Sequence, residues 1–184
     1  MRRRLRPAYT DAELATIYAT PHDHRKHFDH LLRVDVTIQV GNWLAGEGVG
    51  RAADLSCGNG MVLQHIRARQ KFYGDFAPRY PLVGPLEQTL DQIPDVDLFV
   101  CSETLEHLDD PDTVLKRLRD KTRMLLLSTP DGEDDDFNPE HYWGWDADEV
   151  RGMLVAAGFN PVVHTTVDLR PAGYVYSFQI WGCQ

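Results

Sequence analysis

The sequence predicts an α/β domain: a mostly parallel sheet with helices on both faces and an antiparallel pair at its end. Three observations predict it. Short apolar runs alternate with amphipathic stretches along most of the chain. The first such run, Arg51 to Leu55, leads straight into a glycine-bearing turn, Ser56-Cys57-Gly58-Asn59-Gly60. The last two runs, near Asn160 to Val167 and Tyr174 to Trp181, are joined by the short turn Pro171-Ala172-Gly173. A connection that short demands an antiparallel pair.

Each element has a local reason. Thr10-Asp11-Ala12-Glu13 reads as a helix start, and an amphipathic helix is expected from about His24 to Leu44. Gly46, Gly48 and Gly50 end it before the first strand. Met61 to Arg69 reads as a helix with Val62, Leu63 and Ile66 on one side, and Phe72 to Asp75 as a second strand. Asp75 to Pro81 carries two prolines, so the helix after that strand is expected to be missing or a single turn, with Leu82 to Leu86 a reduced strand. Val96 to Cys101 is too continuously apolar for a half-exposed strand and belongs mid-sheet. A helix over Asp112 to Lys121, a buried strand over Met124 to Ser128, and a helix over Asp146 to Ala157 closed by Gly158 follow. One domain over residues 1–184 is expected: an N-terminal helical lid (1–48) and a sheet-bearing core (49–184).

Bulk properties narrow the function. The apolar share is 42% and the charged share 26%, ordinary globular values. No apolar run approaches the ~20 residues of a membrane helix, and the Arg-rich start lacks a signal-peptide core. Cys57, Cys101 and Cys183 show no paired spacing, so a reducing cytoplasm is the expected setting. The net charge of −9 argues against sequence-blind binding to duplex DNA. Arg2, Arg3, Arg4 and Arg6 are expected to be a frayed, solvated terminus. The acidic run Glu133 to Asp136 is a solvated loop that would repel phosphate-rich substrates. His22, His24, His27 and His30 lack a known metal spacing and read as part of the lid.

The chemistry is concentrated in two places. Asp54-Leu55-Ser56-Cys57-Gly58-Asn59-Gly60 lies between a strand and a helix, and Asp75 ends the next strand. An acid there commonly holds ribose hydroxyls, while Leu63 stands where a dinucleotide fingerprint needs glycine. That favours a nucleoside cofactor without a pyrophosphate. With Ser102-Glu103-Thr104-Leu105-Glu106-His107 before Asp110-Pro111, then Ser128-Thr129-Pro130 and Ala157-Gly158-Phe159, the chain resembles class I S-adenosylmethionine-dependent methyltransferases over roughly residues 50 to 182. The resemblance implies a Rossmann-like, seven-stranded sheet with an antiparallel last strand, and S-adenosylmethionine as cofactor. It implies Asp54, Ser56, Gly58, Gly60, Asp75 and Ser102 around that cofactor, backbone near Leu86 against adenine, and Tyr18 covering it from the lid. Ser56 replaces the family's first glycine, and Pro85 stands where an acid often meets the adenine amino group.

The second place is Glu103, Glu106 and His107, at i, i+3 and i+4, which on a helix share one face. His141 could join them from the loop after the fifth strand, completing two carboxylates and two imidazoles, a set suited to Mg²⁺ or Mn²⁺. The pattern resembles small-RNA 3′-end 2′-O-methyltransferases, extending to Asn138 and Trp145, and also ubiquinone-pathway O-methyltransferases. The blander reading makes His107 a lone general base or a structural group. The expected reaction is O-methylation of a small molecule with adjacent hydroxyls, His107 and Glu103 being catalytic. RNA 2′-O-methylation, a non-catalytic binding domain and a nucleotide-dependent oxidoreductase are the competing readings.

Overall fold

The computed structural model describes residues 2–20, 26–132 and 138–184. Along the chain run β1 (Arg3–Arg4), α1 (Asp11–Ile17), α2 (Phe28–Ala45), β2 (Val49–Asp54), α3 (Met61–His65), β3 (Ala68–Asp75), β4 (Leu82–Val83), α4 (Leu86–Thr89) and β5 (Val96–Ser102). Then come α5 (Pro111–Lys121), β6 (Thr122–Pro130), β7 (Trp143–Gly144), α6 (Ala147–Ala156), β8 (Pro161–Asp168) and β9 (Ser177–Cys183). Seven strands form one sheet in the order β4-β3-β2-β5-β6-β9-β8. All run parallel except β9, which is antiparallel to both β6 and β8.

β5 shows why the sheet is covered on both sides. Leu98 and Val100 point into the layer holding α2 and α3, among Val34, Leu44, Leu63, Ile66 and Leu126. Phe99 and Cys101 point into the other layer, among Leu86, Leu90, Leu115, Leu118, Val150 and Leu154. A strand with alternating side chains buried on both faces must be apolar where it is covered, as Leu98 to Cys101 is. β2 pairs with β3 on one side and β5 on the other, so the connections diverge from its carboxyl end. That divergence opens a crevice where ligands settle in open α/β sheets.

Four local expectations change. The helix expected over Met61 to Arg69 stops at His65, and the next strand starts at Ala68 rather than Phe72. Asn42 on α2 causes the stop: its Nδ2 donates to the His65 carbonyl (3.0 Å) and its Oδ1 accepts from the Arg67 amide (2.8 Å). Both backbone groups are thereby taken from the helical ladder. The reduced strand is only Leu82–Val83, because Gly84 and Pro85 turn the chain and Leu86 opens α4. The arginine terminus is not frayed. Arg3–Arg4 pairs with Trp143–Gly144, Arg2 binds Asp112 and Arg4 binds Asp109, and both guanidinium groups lie over Trp143. Finally, α2 is not lid but core, with Val34, Val40, Leu44 and Ala45 buried. α1, by contrast, buries no residue, though Asp11 and Leu14 border the cavity described below.

Candidate functional site

The carboxyl ends of β2, β3 and β5 border one cavity of about 800 Å³. At its first end the β2–α3 turn is built around two acids. Gly58 takes the left-handed conformation (φ 55°), favourable to glycine, and its N–H donates to Asp75 Oδ2 (2.7 Å). Asp75 Oδ1 accepts from Ala77 N–H (3.0 Å), so this acid ties the glycine turn to the loop after β3. Asp54, 3% exposed, accepts from the Ser56 N–H (3.1 Å). Burial pushes the Asp54 carboxyl up to about 8, with the nearby Asp75 charge adding to the rise. Burial raises Asp75 as well, against the pull of its amide donors. Tyr80 OH and Arg79 both donate to the Gly58 carbonyl (2.8 and 2.7 Å), fixing the outer side of the turn.

Of the expected cofactor residues, Asp54, Ser56, Gly58, Asp75, Leu86, Ser102 and Tyr18 line the cavity. Gly60 does not; at φ 77° it starts α3, and a Cβ there would meet Tyr80 and Tyr73. Ser56 Oγ hydrogen-bonds Thr104 Oγ1 (2.7 Å), joining the turn to the chain after β5. Tyr18, just past α1, stacks near Phe76 (centroids 5.8 Å) and reaches His107 Nδ1 through its hydroxyl (3.1 Å). It thus bridges the two ends of the cavity from above.

The second end gathers Glu106, His107 and His141, one ligand atom from each lying within 4.8 Å of the others. These residues are not on the helix face that their spacing suggested. β5 ends at Ser102, Glu103 sits at φ 53°, and only Leu105–His107 coils, as a 3₁₀ turn. Glu103 therefore leaves the expected metal set: its Oε1 accepts from Ser128 Oγ (2.9 Å) and lies 3.9 Å from Arg33 Nε. A positive φ outside glycine is strained, and here the Glu103 carboxylate bonds Ser128 while staying near enough for its charge to act on Glu106.

Glu106 is 1% exposed. Its Oε2 accepts from Thr129 Oγ1 (3.0 Å), which itself accepts from Trp145 Nε1 (3.1 Å). Its Oε1 is buried with no hydrogen-bond partner and lies 3.7 Å from His107 Nε2. Burial, then the charge of Glu103, pushes the Glu106 carboxyl up to about 8. His107 Nδ1 is 2.9 Å from the Glu140 carbonyl oxygen. A carbonyl only accepts, so Nδ1 carries a proton and donates to it, and Nε2 faces Glu106. His141 packs edge-on to His107 (4.7 Å) and meets Asn138 Nδ2 through Nε2 (3.0 Å). The Tyr142 N–H donates to the Glu106 carbonyl (2.7 Å), holding this segment in place. Among the described residues, this trio forms the only such cluster of metal-ligating side chains.

Sequence reasoning missed Arg33. It lines the cavity from α2, 3% exposed, with Nη1 donating to Ser102 Oγ (2.8 Å) and Ser128 Oγ (3.3 Å). A signal was present: Arg33, Thr37, Val40, Gly41 and Leu44 share the buried face at helical spacing, and a charge on that face needs a reason. His27 and His30 also line the cavity, whereas His22, His24 and the run Glu133 to Asp136 lie outside the described residues.

No family model matches the chain. Two sequences from strains of Mycobacterium tuberculosis, each named a probable S-adenosylmethionine-dependent methyltransferase, are 29% identical over 128 residues, 62% of this chain and 47% of theirs. The chain thus spans about half the length of these curated relatives. Among solved structures, the [4+2]-cyclase SpnF superposes with a TM-score of 0.73 at 14% identity over 97% of both chains. The N-methyltransferase NodS of Bradyrhizobium japonicum with S-adenosyl-L-homocysteine gives 0.69 at 14% identity over 94% of this chain and 96% of its own. A Burkholderia thailandensis 1,6-didemethyltoxoflavin-N1-methyltransferase with S-adenosylhomocysteine gives 0.67 at 17% identity, covering 97% of this chain and 92% of that one. At such identities these structures speak for the fold, and the sequence relatives agree with it. Sheet order and the superposed structures give the chain the fold of class I S-adenosylmethionine-dependent methyltransferases, and its sequence is similar to proteins named probable members of that group.

Proposed function

We propose that this chain transfers a methyl group from S-adenosylmethionine to a hydroxyl of a small molecule carrying adjacent hydroxyls, of catechol or vicinal-diol type. One observation carries the proposal: a single cavity runs from Asp54 and Asp75 to His107 and His141. Bound S-adenosylmethionine supplies an electrophilic methyl on a sulfonium, so the protein's part is alignment and proton removal. The β2–α3 turn and Asp75 orient the nucleoside, and Tyr18 covers the junction between cofactor and acceptor. The net charge of −9 favours a small acceptor over RNA.

The trio of Glu106, His107 and His141, two imidazoles and one carboxylate, fits a divalent cation such as Mn²⁺ better than the oxygen-preferring Mg²⁺. The buried Glu106 Oε1 lacks a hydrogen-bond partner, and the His107 ring is oriented by the Glu140 carbonyl with Nε2 on the Glu106 side. A cation there would lower the pKa of an acceptor hydroxyl and prefer two neighbouring oxygens over one. The same orientation favours a second reading, in which His107 Nε2 takes the hydroxyl proton unaided and Glu106 steadies the resulting imidazolium.

Calorimetric titration with S-adenosylhomocysteine should give micromolar binding, about −8 kcal/mol. No measurable binding would overturn the methyltransferase reading and leave a domain that shares only the fold. Methylation of catechol should fall with EDTA and return with Mn²⁺. Full activity after chelation would leave His107 as a plain base and remove the reason for adjacent hydroxyls.

A further inference from the structure

Arg33 is over-provided with hydrogen for the partners it has. A guanidinium offers five N–H donors in a planar fork. Here Nη1 serves two serine hydroxyls, while Nε is buried with no hydrogen-bond partner. Glu103 Oε1, 3.9 Å from Nε, is too distant to accept from it and is instead bonded to Ser128. The guanidinium lies over the Phe178 ring, 5.6 Å from its centroid, and borders the cavity. His27 and His30 line the same cavity, and the His30 ring lies 5.2 Å from that of Phe178, so ring nitrogens border the Arg33 end beside the Glu103 carboxylate.

The wall between Arg33 and the reacting end is aromatic. His107 meets His141 at 4.7 Å, His141 meets Tyr176 at 6.2 Å, and Tyr176 meets Phe178 at 6.0 Å, each between ring centroids. Such a run of rings suits a flat ligand. A carboxylate placed at its far end would accept from donors that otherwise stay buried and unused.

We propose that Arg33 is a carboxylate-recognition residue, and that the acceptor is a planar hydroxy acid lying along this wall with its hydroxyl toward His107 and its carboxylate toward Arg33. The inference rests on reading the cavity as a methyl-acceptor site, but a binding measurement tests it apart from that reading.

The probes are protocatechuate, a catechol bearing a carboxylate, and its uncharged methyl ester. With S-adenosylhomocysteine present, the protein should bind the acid at least about tenfold more tightly than the ester. In turnover the preference should appear in KM rather than kcat, since the carboxylate is bound equally before and during transfer. Arg33→Gln should bring the ratio near one, and Arg33→Lys should keep part of it, retaining charge without the fork. If Arg33→Gln does not fold, the wild-type ratio and the Lys variant still decide. Equal binding of acid and ester by the wild type overturns the proposal. So does a fall of more than about tenfold in S-adenosylhomocysteine affinity in either variant while methylthioadenosine binds as before, for Arg33 would then hold the cofactor's own carboxylate. Failure of S-adenosylhomocysteine to bind the wild type counts against the methyltransferase reading, and the acid-to-ester ratio of the protein alone then judges Arg33.

Discussion

Glu106 ends in two oxygens with unlike surroundings, one bonded to Thr129 and one buried without a hydrogen-bond partner beside His107. A group held this way is costly to the fold, so removing its charge should separate function from stability. Glu106→Gln is expected to slow methyl transfer at least about tenfold, near 1.4 kcal/mol, with S-adenosylhomocysteine affinity unchanged. The same variant should melt no lower than the wild type at pH 8, where the native carboxyl is half ionised; steady-state kinetics and a thermal melt read the two effects. At this scale the sequence disclosed the acids at strand ends, the glycine turn, and Glu106, His107 and His141. It misdirected Glu103, because i, i+3, i+4 spacing speaks only for a helix and the backbone at Glu103 is left-handed. It hid Arg33, whose partners Ser102 and Ser128 stand on two distant strands.

Gly41 of α2 lets the helix lie close to its neighbours. A Cβ there would come within 2.5 Å of Ile66 Cδ1 and 2.6 Å of Leu126 Cδ2. Helix propensity gives Gly→Ala about 1 kcal/mol in favour, whereas overpacking a dense core costs about 1–3 kcal/mol. Two clashes with buried side chains should decide the sign, so Gly41→Ala is expected to lose about 1–2 kcal/mol in urea unfolding. An unchanged or higher midpoint would show that Ile66 and Leu126 swing aside. Element existence was legible wherever period and length agreed, as in Val96 to Cys101 and Asp146 to Ala157. Element ends were not, and α3 shows why: the side chain that stops it, Asn42, lies on another helix.

Across the whole molecule, parallel strands and an antiparallel end followed from connection lengths. The placing of β9 between β6 and β8 was not legible, since a short turn from β8 is compatible with β9 on either side of it. The assembled sheet also buries Asp54, and that has a pH signature. Its carboxyl rises from 3.8 to about 8 on folding. The folded protein therefore keeps a proton that the unfolded chain releases, so this group's contribution is fully present below about pH 4 and declines toward pH 8. Glu106, also raised to about 8, acts in the same direction. Ligand-free protein should lose on the order of a few kcal/mol between pH 5 and pH 8 in urea melts. Asp54→Asn should make that decline shallower, and an identical slope in the variant would show that the acid ionises freely in the fold.

β9 is the last strand in sequence yet sits inside the sheet, with all seven residues, Ser177–Cys183, buried. On the ribosome, β6 is complete 46 residues before Ser177 is added. At about 5–20 residues per second that leaves roughly 2–10 seconds with its outer edge unpaired. Leu125, Leu126 and Leu127 lie on that edge, a template for any other strand nearby. Nascent chains arrested between α6 and Ser177 should accordingly be the species that molecular chaperones hold and that aggregates capture.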